Sequence, residues 1–216
     1  MTELRQLVLA TRNAHKVAEL RRILASAGVV AQLLDLDAVP PTPEVAETAE
    51  TFAGNALLKA RAVASATGLP AVADDSGLCV DALHGMPGVL SARWAGRHGD
   101  DPANLALVLA QLVDVPDERR GARFVCAAAA VLPAGPGRPG RELLVEGELA
   151  GTIVRAGAGT GGFGYDPIFR PDGDDRTLAA LSPEAKDAIS HRGKAFRALA
   201  SQLPDLFDAA GAGPAH

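Results

Sequence analysis

Phe124 to Leu132 is the longest unbroken apolar run of the chain, and Pro133 follows it at once. It falls far short of the ~20 apolar residues that a membrane-crossing helix needs. Proline offers no N–H to a helix or a ladder, so regular structure stops there. The run therefore reads as a buried strand, and a buried strand presupposes a core. The chain has 216 residues, enough for one sizeable core, so a single domain over 1–216 is expected.

The segments around that strand alternate in character. Leu4 to Ala10 is a short β-type run, broken by Thr11-Arg12-Asn13. From Ala14 the pattern turns helical, with Val17, Leu20, Leu24 and Ala27 on one stripe and Gly28 as the stop. Val29 to Leu36 reads as a second strand. Pro40, Pro41 and Pro43 exclude regular structure. A helix over about Thr51 to Thr67 is stopped by Gly68 and Pro70. Ala71-Val72-Ala73 enters a turn at Asp74-Asp75-Ser76-Gly77, and Leu78 to Ala82 leaves it as a strand. Asp101 caps, and Pro102 opens, a helix that runs to about Val113. Beyond the Pro133 to Gly140 loop, Leu143 to Glu148 forms another strand. Ser182-Pro183 repeats the cap-plus-proline start, and Ile189, Phe196, Leu199 and Leu203 form a stripe interrupted near Ser190. Without strict βαβ alternation, an α/β or α+β domain with a mixed sheet is favoured over a doubly wound parallel one.

Lys and Arg number 21 against 26 Asp and Glu, a formal charge of −5. A mildly acidic surface argues against a nucleic-acid partner, although a local Lys/Arg cluster can still hold a small phosphate ligand. Cys79 and Cys126 lie in apolar settings and read as buried free thiols. No zinc-ligand spacing is present. No leader or membrane span is visible, which points to the cytoplasm. Ala209 to His216 is Gly/Ala/Pro-rich and reads as a frayed tail.

Five segments could carry chemistry. Thr11-Arg12-Asn13-Ala14-His15-Lys16 stands at a strand-to-helix junction, where free N–H groups favour an anion. Its alternative is a plain cap by Asn13 with a solvated Lys16. Glu47 precedes the Thr51 helix, on which Asn55 and Lys59 share a face at i and i+4. Lys59 either snorkels from a half-buried face or reaches into a cleft. Asp74 and Asp75 are adjacent, so an extended chain points them to opposite sides. One can serve a divalent cation or a water, while the other fixes the turn; the alternative is a turn held only by Asx-type bonds. Finally, Gly161-Gly162-Phe163-Gly164-Tyr165-Asp166-Pro167 and Ser190-His191-Arg192-Gly193 offer an aromatic face with directional donors and acceptors, which suits a purine ring.

Two apparent motifs fail on context. Gly157-x-Gly159-x-x-Gly162 has dinucleotide-binding spacing, but Phe163 to Pro167 cannot open the helix it requires. Asp172-Gly173-Asp174-Asp175 begins like a calcium loop but has Thr177 in place of its Gly and Pro183 in place of its Glu. No P-loop sequence is present.

Taken together the chain resembles the inosine triphosphate pyrophosphatase family, which acts on non-canonical purine nucleoside triphosphates. The matching stretches are Leu9 to Lys16, Glu47 through Thr51-Phe52 to Ala60, Ala73 to Leu78, Pro87 to Arg93, Gly161 to Pro167 and Lys186 to Gly193. They occur in family order over nearly the whole chain. The resemblance implies an α/β fold with a mixed, elongated sheet flanked by helices, two lobes and a central cleft, and a homodimer. It implies a Mg²⁺-dependent hydrolase that splits ITP, dITP or XTP at the α–β phosphoanhydride. By position, Thr11, Arg12, Asn13 and Lys16 would hold the triphosphate and Lys59 would supply charge at the reacting phosphate. Glu47 and Asp75 would bind Mg²⁺, with Asp75 activating water and Glu44 a second acid nearby. Ser76 would touch the substrate and Phe163 would stack on the base. Gly164, Tyr165, Asp166, Lys186, His191 and Arg192 would complete the base pocket. Ala150 stands where proline is common in the family.

Two other functions compete. A non-catalytic nucleotide sensor would bind without turnover, but would not need Glu47, Lys59 and Asp75 together. A septum-inhibitor-like pyrophosphatase would act on pyrimidine nucleotides, whereas the Phe163–Asp166 and Lys186–Arg192 segments favour a purine.

Overall fold

The computed structural model describes residues 6–135 and 139–208. The tail expected to fray, Ala209 to His216, lies outside them. The chain runs β1 (Gln6–Leu9), α1 (Ala14–Ser26), β2 (Gln32–Leu34), α2 (Phe52–Thr67), β3 (Ala71–Val80), α3 (Asp101–Gln111), β4 (Gly121–Leu132), β5 (Arg141–Ile153), β6 (Phe169–Pro171), α4 (Pro183–Ile189) and α5 (His191–Asp208). The strands form one six-stranded sheet in the order β2-β1-β3-β4-β5-β6. It is mixed: β1 pairs in parallel with β2 and β3, and β5 pairs antiparallel with β6. The α/β reading with a mixed sheet holds.

Local chemistry explains most boundaries. The Thr51 hydroxyl accepts the Gly54 N–H at 3.1 Å to start α2, and Gly68 ends it in the left-handed region at φ +69°. Ser182 caps α4 with Pro183 directly inside. Ser190 is extended and its hydroxyl accepts the Gly193 N–H at 2.9 Å, so the helical region breaks there as expected and restarts as α5. The stripe on α1 uses Leu20, Ile23 and Leu24; Ala27 lies past its end and is exposed.

Three expectations are corrected. Asp74 to Gly77 is not a turn but the middle of the ten-residue strand β3. The four residues have turn chemistry locally, yet Lys16 and Lys59, far along the chain, pair with the Asp74 and Asp75 carboxylates, and Gly77 does not adopt a positive φ. The strand read over Val29 to Leu36 shrinks to Gln32–Leu34, which pairs with Gln6 to Val8 of β1. The cap of α3 is Asp100, not Asp101, and its carboxylate accepts the Ala103 N–H at 3.2 Å.

The described chain divides into two compact units. The first holds residues 6–75, 127–135, 139–146 and 194–208; the second holds 76–126 and 147–193. The core of the first includes Val8, Ala56, Ala60, Val63, Ala71, Ala73, Ala127 and Ala129, small side chains that let α2 lie close to its strands. The core of the second is built from larger groups, among them Leu78, Phe124, Ile153, Tyr165, Ile168 and Phe169, with the Phe124 and Phe169 rings 4.7 Å apart. Cys79 and Cys126 are buried free thiols. Among the described residues, no helix is long and apolar enough to cross a membrane.

Candidate functional site

Two clusters contain the residues singled out above, one in each unit. In the first unit the chain leaves β1 through Thr11-Arg12-Asn13. The Asn13 carboxamide accepts the N–H groups of His15 and Lys16 at 3.0 and 3.2 Å, and the Thr11 hydroxyl accepts the Asn13 N–H at 3.2 Å. Part of the anion-binding capacity of this helix start is thus taken up by its own cap. Arg12 donates to the Thr42 carbonyl at 2.9 Å, tying the proline-rich loop to the start of α1. Lys16 is not simply solvated: its ammonium meets the Asp74 carboxylate at 2.8 Å, and the Asp74 side chain is wholly buried.

Asp75 follows on β3. Its Oδ1 accepts from the Lys59 Nζ at 3.0 Å and its Oδ2 from the Asn55 Nδ2 at 3.1 Å. Asn55 and Lys59 stand one turn apart on α2, which is why both reach the same carboxylate. Lys59 also donates to Glu47 at 2.8 Å, and the Asn55 carbonyl oxygen accepts the Ala49 N–H at 2.9 Å. Glu44 is exposed, and Glu47 is the acid that meets Lys59. Burial pushes the Asp75 carboxyl up, with Glu47 adding to the shift and Lys59 and Lys16 opposing it. For Lys59, burial alone would lower the ammonium, but Asp75, Asp74 and Glu47 outweigh it and raise the pKa. Among the described residues no group of three His, Cys, Asp or Glu is arranged to hold a metal. Two hard carboxylates, Glu47 and Asp75, nonetheless fit Mg²⁺, which takes one or two such ligands and completes its shell with water and substrate phosphate.

In the second unit, Gly162 adopts φ +69°, and a Cβ there would run into the Asp166 carboxylate, so the turn before Phe163 accepts only glycine. Asp166 is buried. Its Oδ2 accepts the Phe163 N–H at 2.8 Å and the Lys186 Nζ at 2.6 Å. The half-buried Phe163 ring has the Lys186 ammonium 4.7 Å and the Arg192 guanidinium 5.1 Å from its centroid. Arg192 donates to the Ser76 hydroxyl at 2.7 Å. His191 is buried and stacks on Phe124 at 4.7 Å. The Tyr165 side chain lies in the core; its hydroxyl donates to the Ser91 carbonyl at 2.8 Å, and burial raises its pKa. The Gly164 N–H goes to the Asp101 carboxylate at 2.8 Å. Burial pushes the Asp166 carboxyl up as well, against Lys186 and the Phe163 N–H.

Thr11, Arg12, Asn13, Lys16, Glu47, Lys59 and Asp75 therefore belong to the first unit. Ser76, Phe163, Gly164, Tyr165, Asp166, Lys186, His191 and Arg192 belong to the second. Sequence reasoning gave no role to Asn55, although its i, i+4 relation to Lys59 was a usable signal. It also missed the Ser91 carbonyl and the Asp101 carboxylate, which meet Tyr165 and Gly164 more than sixty positions away.

The model of the Ham1 family matches residues 7–202. A dITP/XTP pyrophosphatase of Streptomyces coelicolor is 63% identical over 201 residues, covering 93% of this chain and 98% of its own length. The crystal structure of a nucleoside-triphosphatase, dITP/XTP pyrophosphatase, from Mycobacterium abscessus is 58% identical with a TM-score of 0.71, over 93% of this chain and 99% of that one. A HAM1 protein from Coxiella burnetii is similar at 39% identity and a TM-score of 0.80, over 94% of this chain and 100% of that one.

Proposed function

The chain belongs to the Ham1 family, and from that premise we propose that it hydrolyses dITP, ITP and XTP to the monophosphate and pyrophosphate. The observation that carries the reading is the meeting of Glu47, Lys59 and Asp75, drawn from a loop, a helix and a strand, within 3.0 Å contacts. Relatives named for this activity match it over almost the whole chain.

Lys16, with Thr11, Arg12 and Asn13, holds the triphosphate. Lys59 sets a full positive charge against the reacting phosphate, where about four negative charges repel an incoming water. Asp75, its carboxyl raised by burial, takes the proton of that water. The water oxygen joins phosphorus, the α–β P–O bond breaks, and pyrophosphate leaves. Asn55 keeps Asp75 turned toward Lys59. Glu47 and Asp75 would hold Mg²⁺, which would supply further neutralisation of phosphate charge.

The second cluster reads the base. Phe163 stacks on it, and Lys186, Arg192 and His191 supply donors while Asp166 accepts. A 6-keto purine shows an acceptor at O6 and a donor at N1. Adenine shows the reverse, so it leaves buried groups unpaired at about 1–3 kcal/mol each. The reading carries with it a homodimer in the cytoplasm, with 1–216 acting as one functional domain. Pyrophosphate release from dITP, ITP, XTP, ATP and GTP, with and without Mg²⁺, tests the chemistry, and light scattering tests the dimer. Release only from the first three, and only with Mg²⁺, is expected. Equal rates on all five would refute the base reading, and no release would refute the hydrolase.

A further inference from the structure

We propose that Asp101 is a positioning residue for the Phe163 ring and, through it, for the stacking of the nucleobase. This rests on the nucleotide reading above. Because Asp100 caps α3, Asp101 is released from that task. Its carboxylate stands in the first helical turn, where the helix dipole favours it. From there its Oδ2 accepts the Gly164 N–H at 2.8 Å, across 63 positions of chain.

The adjacent N–H, that of Phe163, goes to the Asp166 Oδ2 at 2.8 Å. Two carboxylates from different elements therefore hold the two consecutive N–H groups that flank the Phe163 Cα. Such charge-assisted bonds are strong, and the backbone here needs them. Gly162 and Gly164 both adopt positive φ, +69° and +62°, and glycine alone does little to hold a conformation.

The frame that carries Asp101 is itself fixed. The Asn104 side chain, on the first turns of α3, accepts the Ala95 N–H at 2.7 Å and donates to the Ala92 carbonyl at 3.2 Å. The Tyr165 hydroxyl joins the same segment through the Ser91 carbonyl at 2.8 Å. The stretch from Ser91 to Asn104 thus grips the Phe163 loop at two successive residues, Gly164 and Tyr165. Without the Asp101 carboxylate the ring loses one of its two backbone anchors. The loss falls on base stacking, because the bond ends on the Phe163 loop.

The test is calorimetric binding of α,β-methylene inosine triphosphate to the full chain, with inorganic tripolyphosphate as a base-free probe. Asp101→Ala is expected to weaken analogue binding about tenfold, within the range that one base–aromatic stack contributes. Asp101→Asn, whose carboxamide oxygen still accepts the N–H, should stay within about twofold. In a Phe163→Ala background, Asp101→Ala should add less than about twofold, the non-additivity of residues that act through one contact. Tripolyphosphate binding should not change in any variant. Wild-type affinity in Asp101→Ala, additive losses in the double variant, or a parallel loss of tripolyphosphate binding would overturn the proposal. A wild-type protein that binds the analogue but releases no pyrophosphate from ITP refutes the hydrolase while the double-variant comparison still decides Asp101. A wild type that does not bind the analogue overturns both.

Discussion

In the first unit three carboxylates, Glu47, Asp74 and Asp75, meet two ammonium groups, Lys16 and Lys59. In the second, one carboxylate, Asp166, meets two cations, Lys186 and Arg192, around a phenylalanine ring. The first cluster is left with one negative charge among hard oxygens, which suits a divalent cation. The second sets two cations against an aromatic face, which suits a ring presenting acceptors. The cores differ in the same sense: alanines in the first, large aromatic and aliphatic groups in the second. Under the proposed function the first cluster takes the phosphate chemistry and the second takes the base. Each half can then be broken without the other.

The largest effect belongs to the first cluster. Asp75→Asn should lower kcat by about 10²–10⁴-fold, the usual contribution of a general base, while binding of the α,β-methylene analogue persists. Pyrophosphate release and calorimetry on the same preparation measure both. Normal turnover would mean that the water is activated elsewhere and that the Glu47–Lys59–Asp75 contacts serve folding alone.

How much of this contrast was legible beforehand depends on where the partners lie. The α2 boundaries were readable because Thr51 and Gly68 act on their immediate neighbours. So was the break at Ser190, whose hydroxyl acts only three residues ahead. Asp74 to Gly77 was misread because its turn chemistry is local, whereas the ion pairs that hold it in a strand come from Lys16 and Lys59, 58 and 16 positions away. The exchange of caps between Asp100 and Asp101 was invisible for the same reason: two adjacent aspartates look equivalent until Gly164 claims one of them. The strand β6 has three residues and ends in Pro171; it exists only because β5 pairs with it. The site residues were assigned from the order of six motifs, not from any single one.

The second cluster breaks next, through stability. Lys186→Met removes the Nζ that lies 2.6 Å from the buried Asp166 carboxylate. An unpaired buried charge costs about 3–5 kcal/mol, so a marked fall in Tm is expected at neutral pH. Burial already holds the Asp166 carboxyl above its ordinary range. A raised carboxyl binds its proton more readily folded than unfolded, so its contribution to stability is fullest at low pH and is lost as pH rises through the folded value. The deficit of the variant should therefore shrink on acidification as Asp166 takes a proton. A deficit equal at every pH would show that Asp166 is not the stranded charge.

Phe163→Ala sharpens the comparison from the ligand side. Losing the stacking face should weaken the analogue by about 1–3 kcal/mol and raise KM for dITP, with kcat nearly unchanged. Tripolyphosphate, which has no base, should bind as before. A fall in kcat with unchanged KM would place the ring in the chemistry and erase the division between the clusters.

The smallest effect comes from two ion pairs of the same length in opposite surroundings. Arg61 grips Glu142 through two 2.6 Å hydrogen bonds, as short as the Lys186–Asp166 contact. The Arg61 and Glu142 side chains are 52% and 40% exposed, against 8% and 4% for Lys186 and Asp166. Exposure reverses the outcome. Arg61 holds the Glu142 carboxyl below the usual range, whereas burial pushes Asp166 above it. A depressed carboxylate contributes stability above its unfolded pKa and loses it as pH falls through the folded value. For an exposed pair that contribution is about 0.2–1 kcal/mol, and salt screens it. Glu142→Gln should thus lower Tm slightly at neutral pH, and the deficit should vanish in acid or in about 1 M salt, where the Debye length is near 3 Å. The Lys186→Met deficit should survive the same salt, since water and ions do not reach between its partners. Carboxylate ¹³C shifts followed through pH would place the Glu142 midpoint below, and the Asp166 midpoint above, the ordinary values. A Glu142 deficit that outlasted the salt, or midpoints on the same side, would mean that contact length rather than burial sets the character of these pairs.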